Sequence, residues 1–274
     1  MKVLLTGASG YLGSSIYFSL KNRFDIVGTY GTRPLFQELR QLNLEKPKDI
    51  ARLFAEIKPD IVIHAGGKSG RQESDENTET AKTVNVEATA LLAELSKRRD
   101  AHFIFISSAV SRKIGTTYAM TKYGAEERVR EIGGRYLILR PAPIFGISPS
   151  TESARPMNRI LRQLKAGKSF KIDATWRFQP TWLTHLKEII DIAIREKIED
   201  AEITVTVPEV KTYYEIARDI AAPLGIEVSP LLDAPGKEPP IIDDQSDLHR
   251  HNLPVHHYDE MLQEITRDLK RILI

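Results

Sequence analysis

The chain has 274 residues, 41% hydrophobic and 28% charged, with 39 basic and 37 acidic side chains and a net charge of +2. This length suits one large domain or a domain with a small lobe, and the near-balanced charge gives no electrostatic case for nucleic acid or an acidic membrane as partner. Cysteine is absent, which excludes disulfides, thiolate chemistry and Cys-ligated zinc. No apolar run approaches the roughly 20 residues that span a bilayer. The chain enters a strand within two residues, so no signal peptide is expected and the expected location is cytoplasmic.

The first element sets the theme. A short apolar run, Val3 to Leu5, is followed by Gly7, Gly10 and Gly13 and then by an amphipathic segment, Tyr11 to Lys21. That order is strand, Gly-rich turn, helix. Gly7 permits a sharp turn, Gly10 leaves the backbone open to a pyrophosphate, and Gly13 lets the helix pack closely on the strand. The helix N-terminus offers N–H groups and a positive dipole end to phosphate. The expectation is a dinucleotide site.

The first half of the chain then alternates. Further strands are expected at Asp25–Tyr30, Ile61–His64, His102–Ser107 and Tyr136–Arg140, with a short one around Gln41–Leu44. Helical patterns fall at Pro47–Ile57, Thr80–Arg98 and Tyr118–Ile132. Continuous apolar strands alternating with helices predict an α/β fold with a doubly wound parallel sheet. In such a sheet ligands lie beyond the carboxyl ends of the strands.

The residues that follow each strand are therefore the informative ones. No Asp or Glu occurs between Asp25 and Glu38 to hold a ribose 2′-hydroxyl, while Arg33 offers a partner for a 2′-phosphate. That favours NADP(H) over NAD(H). Asn43 suits either an adenine edge or a turn. His64 ends a buried strand and reads first as a packed core histidine. Ala65, Gly66 and Gly67 are small enough for a cofactor ribose to lie against backbone. Lys68–Asn77 reads as a cleft-lining loop, and Asn85 as a kink, a water holder or a surface residue in a helix.

The second informative stretch runs from Ser107 and Ser108, at a strand end, to Tyr118 and Lys122. Four residues apart on a helix, Tyr118 and Lys122 share a face. An ammonium beside a phenol favours the phenolate and suits tyrosine to acid/base work near neutral pH. Ser108 is placed to hydrogen-bond a carbonyl.

In the second half, Arg155–Lys168 is helical and basic, suited to a diphosphate or to a solvated face. Residues 173–182 concentrate large side chains, with Trp176 able to stack on a base and Arg177 to pair with phosphate, or both packed in a loop. His185 is read as beginning or capping a helix, Leu186–Ile194. Ile203–Val207 reads as a strand, Tyr213–Leu224 and Tyr258–Leu273 as amphipathic helices, and Pro230–Pro240 as an exposed connection. His249, His251, His256 and His257 lack helical metal-site spacing, and no metal is expected.

With Gly-x-x-Gly-x-x-Gly, the serine and Tyr-x-x-x-Lys in order, the chain resembles the extended branch of the short-chain dehydrogenase/reductase superfamily, which has a Rossmann sheet. Within it the chain is most similar to dTDP-4-dehydrorhamnose reductases and other sugar-nucleotide reductases. Supporting stretches are Lys58–Ala65, Val84-Asn85, Leu139-Arg140-Pro141, Gln179–Trp182 and Tyr213–Ala217.

The resemblance implies roles for named residues. Tyr118 would be the proton donor, Lys122 its modulator and a ribose ligand, and Ser108, or else Ser107, the group polarising the carbonyl. Thr6, Gly7, Ser9, Gly10, Tyr11 and Leu12 would hold pyrophosphate. Pro143 and Ile144 would lie near the carboxamide, and the region of Trp176 would line the substrate pocket. Two stretches depart from the sugar-nucleotide pattern: Ser108 and Tyr118 stand only ten positions apart, and the loop after Ala65 reads Lys68-Ser69-Gly70-Arg71-Gln72. Both are expected to face the substrate.

The resulting expectation is a dinucleotide-binding domain over 1–145 and a smaller α/β substrate-binding lobe over 146–274, interleaved with the sheet. The function expected is NADP(H)-dependent reduction of a ketone on a nucleotide-activated deoxysugar. The alternatives are a sugar-nucleotide epimerase or a non-catalytic NADP-binding regulatory subunit. A small-molecule substrate, and a homodimer by analogy with the branch, complete the expectation.

Overall fold

The computed structural model describes residues 1–68, 75, 77–113, 115–233 and 240–273. Its organising feature is a sheet that reverses direction of growth. The strands β1 (Lys2–Thr6), β2 (Asp25–Tyr30), β3 (Arg40–Gln41), β4 (Ile61–His64), β5 (His102–Ile106) and β6 (Tyr136–Pro141) join the strand Ala201–Val205 in one seven-stranded sheet. The order is Ala201–Val205, β6, β5, β4, β1, β2, β3. Every pairing from β3 across to β6 is parallel. The chain first grows outward from β1 to β3, then returns to β1's other edge with β4, where Thr6 stands beside His64. That reversal is the switch point at which open α/β sheets bind ligands.

The central strands β1, β4 and β5 are buried because they carry apolar side chains on both faces. All residues of β4 and β5 are buried, and in β1 only Lys2 is exposed. Helix α1 (Tyr11–Leu20) follows β1 directly. Helix α2 (Pro47–Ile57) starts with Pro at its first turn and buries Ile50, Leu53, Phe54 and Ile57, the spacing of a single helical face. These pack with Leu4, Val62, Leu92, Phe103, Phe105 and Val129 in one cluster. Burying each such side chain stabilises the fold by about 1.5–3 kcal/mol.

The segment read as one helix from Thr80 to Arg98 is three pieces. Thr78–Lys82 is α-helical, Thr83–Glu87 is a π turn, and Ala88–Arg99 is α-helical again. The Ala88 N–H bonds Thr83 O across the turn. Asn85, at its centre, is buried rather than on the surface. The next helix, Thr117–Ile132, is capped by the Thr116 hydroxyl, which accepts the Ala119 N–H at 3.1 Å.

The chain divides into two compact units: Met1–Arg140 with Ser148–Ser150 and Ile190–Ile203, and Pro141–Ile147 with Thr151–Ile189 and Thr204–Ile274. In the second unit, short ribbons pair Ile144–Phe145 with Thr181–Trp182, Arg177–Phe178 with Lys211–Thr212, and Phe170–Asp173 with Val228–Leu231. The last pair corrects the reading of Pro230 as connecting loop, since Pro230 lies in a strand; residues 234–239 lie outside the described residues. The helix Tyr213–Ala221 starts with a capping box, in which Thr212 Oγ1 accepts the Glu215 N–H at 3.0 Å and Glu215 Oε2 accepts the Thr212 N–H at 2.7 Å.

His185 does not cap a helix. It sits inside the first turn of Leu183–Glu196, buried, with Nε2 donating to Pro254 O at 2.8 Å. His256 lies between Glu188 at 2.7 Å and Glu260 at 3.2 Å. No helix among the described residues is long and apolar enough to cross a membrane.

Candidate active site

The Gly-rich turn lies at the switch point. Gly7 has φ +73, and a Cβ there would stand 2.7 Å from Gly66 Cα, so the turn after β1 meets the backbone after β4 as only a glycine at position 7 allows. A Cβ on Gly13 would overlap the Gly7 carbonyl. The turn is closed by Gly10 N–H to Gly7 O at 2.9 Å and Ala8 N–H to Thr29 O at 2.7 Å. Gly10 caps α1 with no side-chain bond, the setting in which first-turn N–H groups receive an anion. The cradle fits a dinucleotide pyrophosphate, because it keeps side chains away from the backbone where phosphate would lie.

Around it, the expected cofactor residues have distinct settings. Ser9 Oγ accepts the Leu35 N–H at 3.1 Å, folding the loop that carries exposed Arg33 back onto the turn. Tyr11 is buried, and its carbonyl accepts the Ser14 hydroxyl at 3.3 Å and the Ser148 hydroxyl at 2.6 Å. Leu12 is half-buried. Asn43 Oδ1 accepts the Glu45 N–H at 2.9 Å, the turn role of its two readings. Ala65 is half-buried and Gly67 exposed, while Gly66 is buried.

Thr6 is fully buried and belongs to a chain of neutral hydrogen bonds. Thr89 Oγ1 lies 2.6 Å from Asn85 O, an acceptor only, so the single hydroxyl proton goes there. Thr89 Oγ1 must therefore accept from His64 Nε2, 3.0 Å away. Neutral His64 then has a bare Nδ1, which accepts the Thr6 hydroxyl at 2.6 Å. Thr6 Oγ1 in turn accepts the Gly66 N–H at 3.1 Å. Burial, with the Lys122 charge adding to it, lowers the His64 pKa from 6.5 to about 3, in keeping with a neutral ring. The reading of His64 as a packed core histidine matches its complete burial.

Asn85 extends this chain. Its Oδ1 accepts the Lys68 N–H at 2.8 Å, and its Nδ2 donates to Lys68 O at 3.1 Å and to Thr121 Oγ1 at 3.0 Å. The Thr121 hydroxyl donates to Tyr118 O at 3.0 Å. Of the loop expected to line the cleft, residues 69–74 and 76 lie outside the described residues.

Tyr118 is half-buried, and Lys122, one turn on, is buried. Lys122 Nζ donates to Ile106 O at 2.9 Å and stands 4.8 Å from the Phe105 ring centre. It is thus fixed at the end of β5, where Ser107 and Ser108 follow. The strand ends one residue before the expected Ser107. The two serines differ. Ser107 is buried and donates to Glu126, whereas Ser108 is half-buried with its carbonyl accepting from Ser111 N–H at 3.0 Å. Ser108 is the one whose side chain is not drawn into the interior.

Beneath the serines lies a charged cluster that the sequence reading missed. Glu126 is buried and accepts from the Ser111 hydroxyl at 2.6 Å, from Arg140 Nη2 at 2.6 Å and from Arg130 Nη2 at 3.1 Å. Arg140 and Arg130 both also reach Glu202. Burial works against the Arg140 charge, yet its bonds to Glu126 and Glu202 raise its pKa. Hydrogen bonding to Arg130 holds Glu202 below the usual carboxylate range. The available signals were a Glu one turn beyond Lys122 and an arginine ending an otherwise apolar strand.

The remaining expected residues fall in the second unit. Pro143 O accepts the Thr181 N–H at 2.9 Å and Ile144 pairs with Thr181. Arg155 is exposed just before the helix Pro156–Ala166. Trp176 is half-buried, its ring centre 4.5 Å from Phe178 and 5.6 Å from Tyr213, while Arg177 is exposed on a short strand.

Comparison with known proteins adds three relatives. The chain is 28% identical to a dTDP-4-dehydrorhamnose reductase of Burkholderia thailandensis over 219 residues, 73% of this chain and 70% of the relative. It is 24% identical to methionine adenosyltransferase 2 subunit beta of Bos taurus over 259 residues, 85% of this chain and 76% of that protein. A crystal structure of a dTDP-4-dehydrorhamnose reductase from Bacillus anthracis in complex with NADP has the same fold. It superposes with a TM-score of 0.83 at 19% identity, covering 97% of this chain and 99% of that one. The family model described as "NAD dependent epimerase/dehydratase family" matches residues 3–177. Taken with the switch-point cradle and the Tyr118 helix, that match over more than half the sequence places the chain in the NAD dependent epimerase/dehydratase family.

Proposed function

We propose that this protein is an NADP(H)-dependent reductase acting on a ketone of a nucleotide-activated deoxysugar, with dTDP-4-dehydrorhamnose as the model substrate. The observation that carries the reading is the Tyr118–Lys122 pair on a helix fixed to the end of β5, beside half-buried Ser108. Bound NADPH supplies the hydride that reduces the carbonyl carbon. Tyr118 gives its phenolic proton to the carbonyl oxygen, and the Lys122 charge favours the phenolate left behind. The Ser108 hydroxyl donates a hydrogen bond to the same oxygen and orients it. Solvent returns a proton to Tyr118.

In this reading the backbone of Gly7, Gly10, Tyr11 and Leu12, with Thr6 and Ser9 shaping the turn, receives the pyrophosphate. Arg33 meets the 2′-phosphate, the Asn43 amide nitrogen the adenine edge while its Oδ1 holds the turn, Ala65 to Gly67 the ribose, and Pro143 and Ile144 the carboxamide. Arg155, Trp176 and Arg177 hold the nucleotide part of the substrate. Residues 1–145 then serve the cofactor and 146–274 the substrate. A cytoplasmic homodimer fits the exposed Met120 and Tyr123 on one face of the Tyr118 helix.

A second reading, a cofactor-binding regulatory subunit, is supported by the likeness to methionine adenosyltransferase 2 subunit beta over 85% of the chain. Titration of NADPH and NADH, followed by nicotinamide fluorescence and then absorbance at 340 nm with dTDP-4-dehydrorhamnose, separates the two. The reductase reading expects NADPH bound more tightly than NADH, the preference lost in Arg33→Ala, and NADPH consumed. Binding without consumption favours the regulator; no binding of either nucleotide overturns both.

A further inference from the structure

We infer that Thr89, backed by His64, is a positioning residue that links the Gly7–Gly66 cradle to the backbone of the proton donor; the inference rests on the proposed role of Tyr118. The chain runs from Gly66 N–H through Thr6, His64 and Thr89 to the Asn85 carbonyl, and from the Asn85 amide through Thr121 to Tyr118 O. Every proton in it has one consistent direction. Thr6, His64 and Thr89 are wholly buried and Asn85 is 1% exposed, so water offers none of them an alternative partner. A satisfied buried network of this kind has a single arrangement.

Thr89 is the joint. The π turn at Thr83–Glu87 sends the Ala88 N–H to the Thr83 carbonyl and so interrupts the α-helical register beside Asn85. The Thr89 hydroxyl donates to the Asn85 carbonyl at 2.6 Å and ties the next helical turn to it. His64 orients that hydroxyl by donating to its oxygen, which leaves its proton only the carbonyl to meet. A protonated His64 would donate from both nitrogens and take the acceptor away from the Thr6 hydroxyl. With the turn fixed, the Asn85 amide clamps Lys68 on one side and Thr121 on the other. A displacement of Gly66 against Gly7 would therefore be passed to the Tyr118 backbone through Thr6, His64, Thr89, Asn85 and Thr121.

The test is Thr89→Val, which keeps the β-branched shape and removes the hydroxyl, with Thr89→Ser as its rescue. Thr121→Val cuts the same chain at its other end and serves if Thr89→Val does not fold. Two readouts are taken: steady-state kinetics, and hydrogen–deuterium exchange of residues 117–124 with and without NADPH. We expect Thr89→Val to bind NADPH within about threefold of wild type, with kcat down at least tenfold and KM within twofold. We also expect it to lose the NADPH-dependent protection of 117–124, and Thr89→Ser to restore both. Wild-type kcat and protection in a folded Thr89→Val or Thr121→Val protein would overturn the inference, as would a Thr89→Ser protein no better than Thr89→Val. Protection lost in Thr89→Val while wild type reduces no ketone would support the linkage and retire the reductase reading. Absence of NADPH-dependent protection in wild type itself would overturn the linkage.

Discussion

Two buried polar networks hold the Tyr118 helix, and they work by opposite means. On one side, Thr6, His64, Thr89, Asn85 and Thr121 form a neutral chain in which each proton has one place to go. On the other, Glu126, Arg130, Arg140 and Glu202 form a charged cluster under Ser107 and Ser111. The neutral chain gains specificity of arrangement at little desolvation cost. The charged cluster, buried at Glu126 and Arg140, costs much to desolvate there and stands only while its charges balance. The first should therefore tune geometry, and the second should decide whether the region folds.

The largest expected effect follows from removing one charge. Glu126→Ala leaves Arg140 buried beside Glu202 without its main partner, and about 3–5 kcal/mol of stability should be lost. Urea unfolding measures this; a loss under 1 kcal/mol would mean the cluster is not what holds the end of β5.

Acid should test the neutral side. The His64 pKa lies at about 3, against 6.5 when unfolded. Below pH 6.5 the unfolded chain takes up a proton that the folded chain refuses. The stabilisation is thus full above pH 6.5 and is lost as pH falls toward 3, by about 1.4 kcal/mol per pH unit for one such group. Buried His102 and His185, both lowered to about 4, add the same sign. His256 opposes them: burial works against its charge, but bonds to Glu188 and Glu260 raise its pKa, so its contribution fades as pH rises. Urea midpoints from pH 7.5 to 5 should fall, and less steeply in His64→Gln. An equal slope in that variant would remove His64 from the cause.

The smallest effect is a control in the second unit. Thr212→Ala breaks the capping box of Tyr213–Ala221 and should cost about 1 kcal/mol, with NADPH affinity unchanged. A change in affinity would show that cap to reach the cofactor site.

The same contrast explains what the sequence disclosed. Gly7, Gly10 and Gly13, and Tyr118 with Lys122, are close in sequence, so spacing alone points to their geometry. The parallel sheet was equally plain in runs such as Phe103–Ile106. The networks are not local: Glu126 meets Arg140 from 14 residues away and Arg140 meets Glu202 from 62. His64 was readable as buried, but its partners Thr6 and Thr89 stand 58 and 25 residues off. Asn85 signalled a disturbed helix without disclosing a π turn. The ribbon Arg177–Phe178 with Lys211–Thr212 has strands of two residues each, too short to show a period.

The central claim is that Tyr118 delivers the proton in a hydride-transfer reduction. Its most direct test is NADPH oxidation at 340 nm with dTDP-4-dehydrorhamnose, comparing wild type with Tyr118→Phe. The expected result is turnover by wild type and a rate at least a hundredfold lower in Tyr118→Phe, with the Kd for NADPH unchanged. Equal rates in the two proteins would contradict the claim.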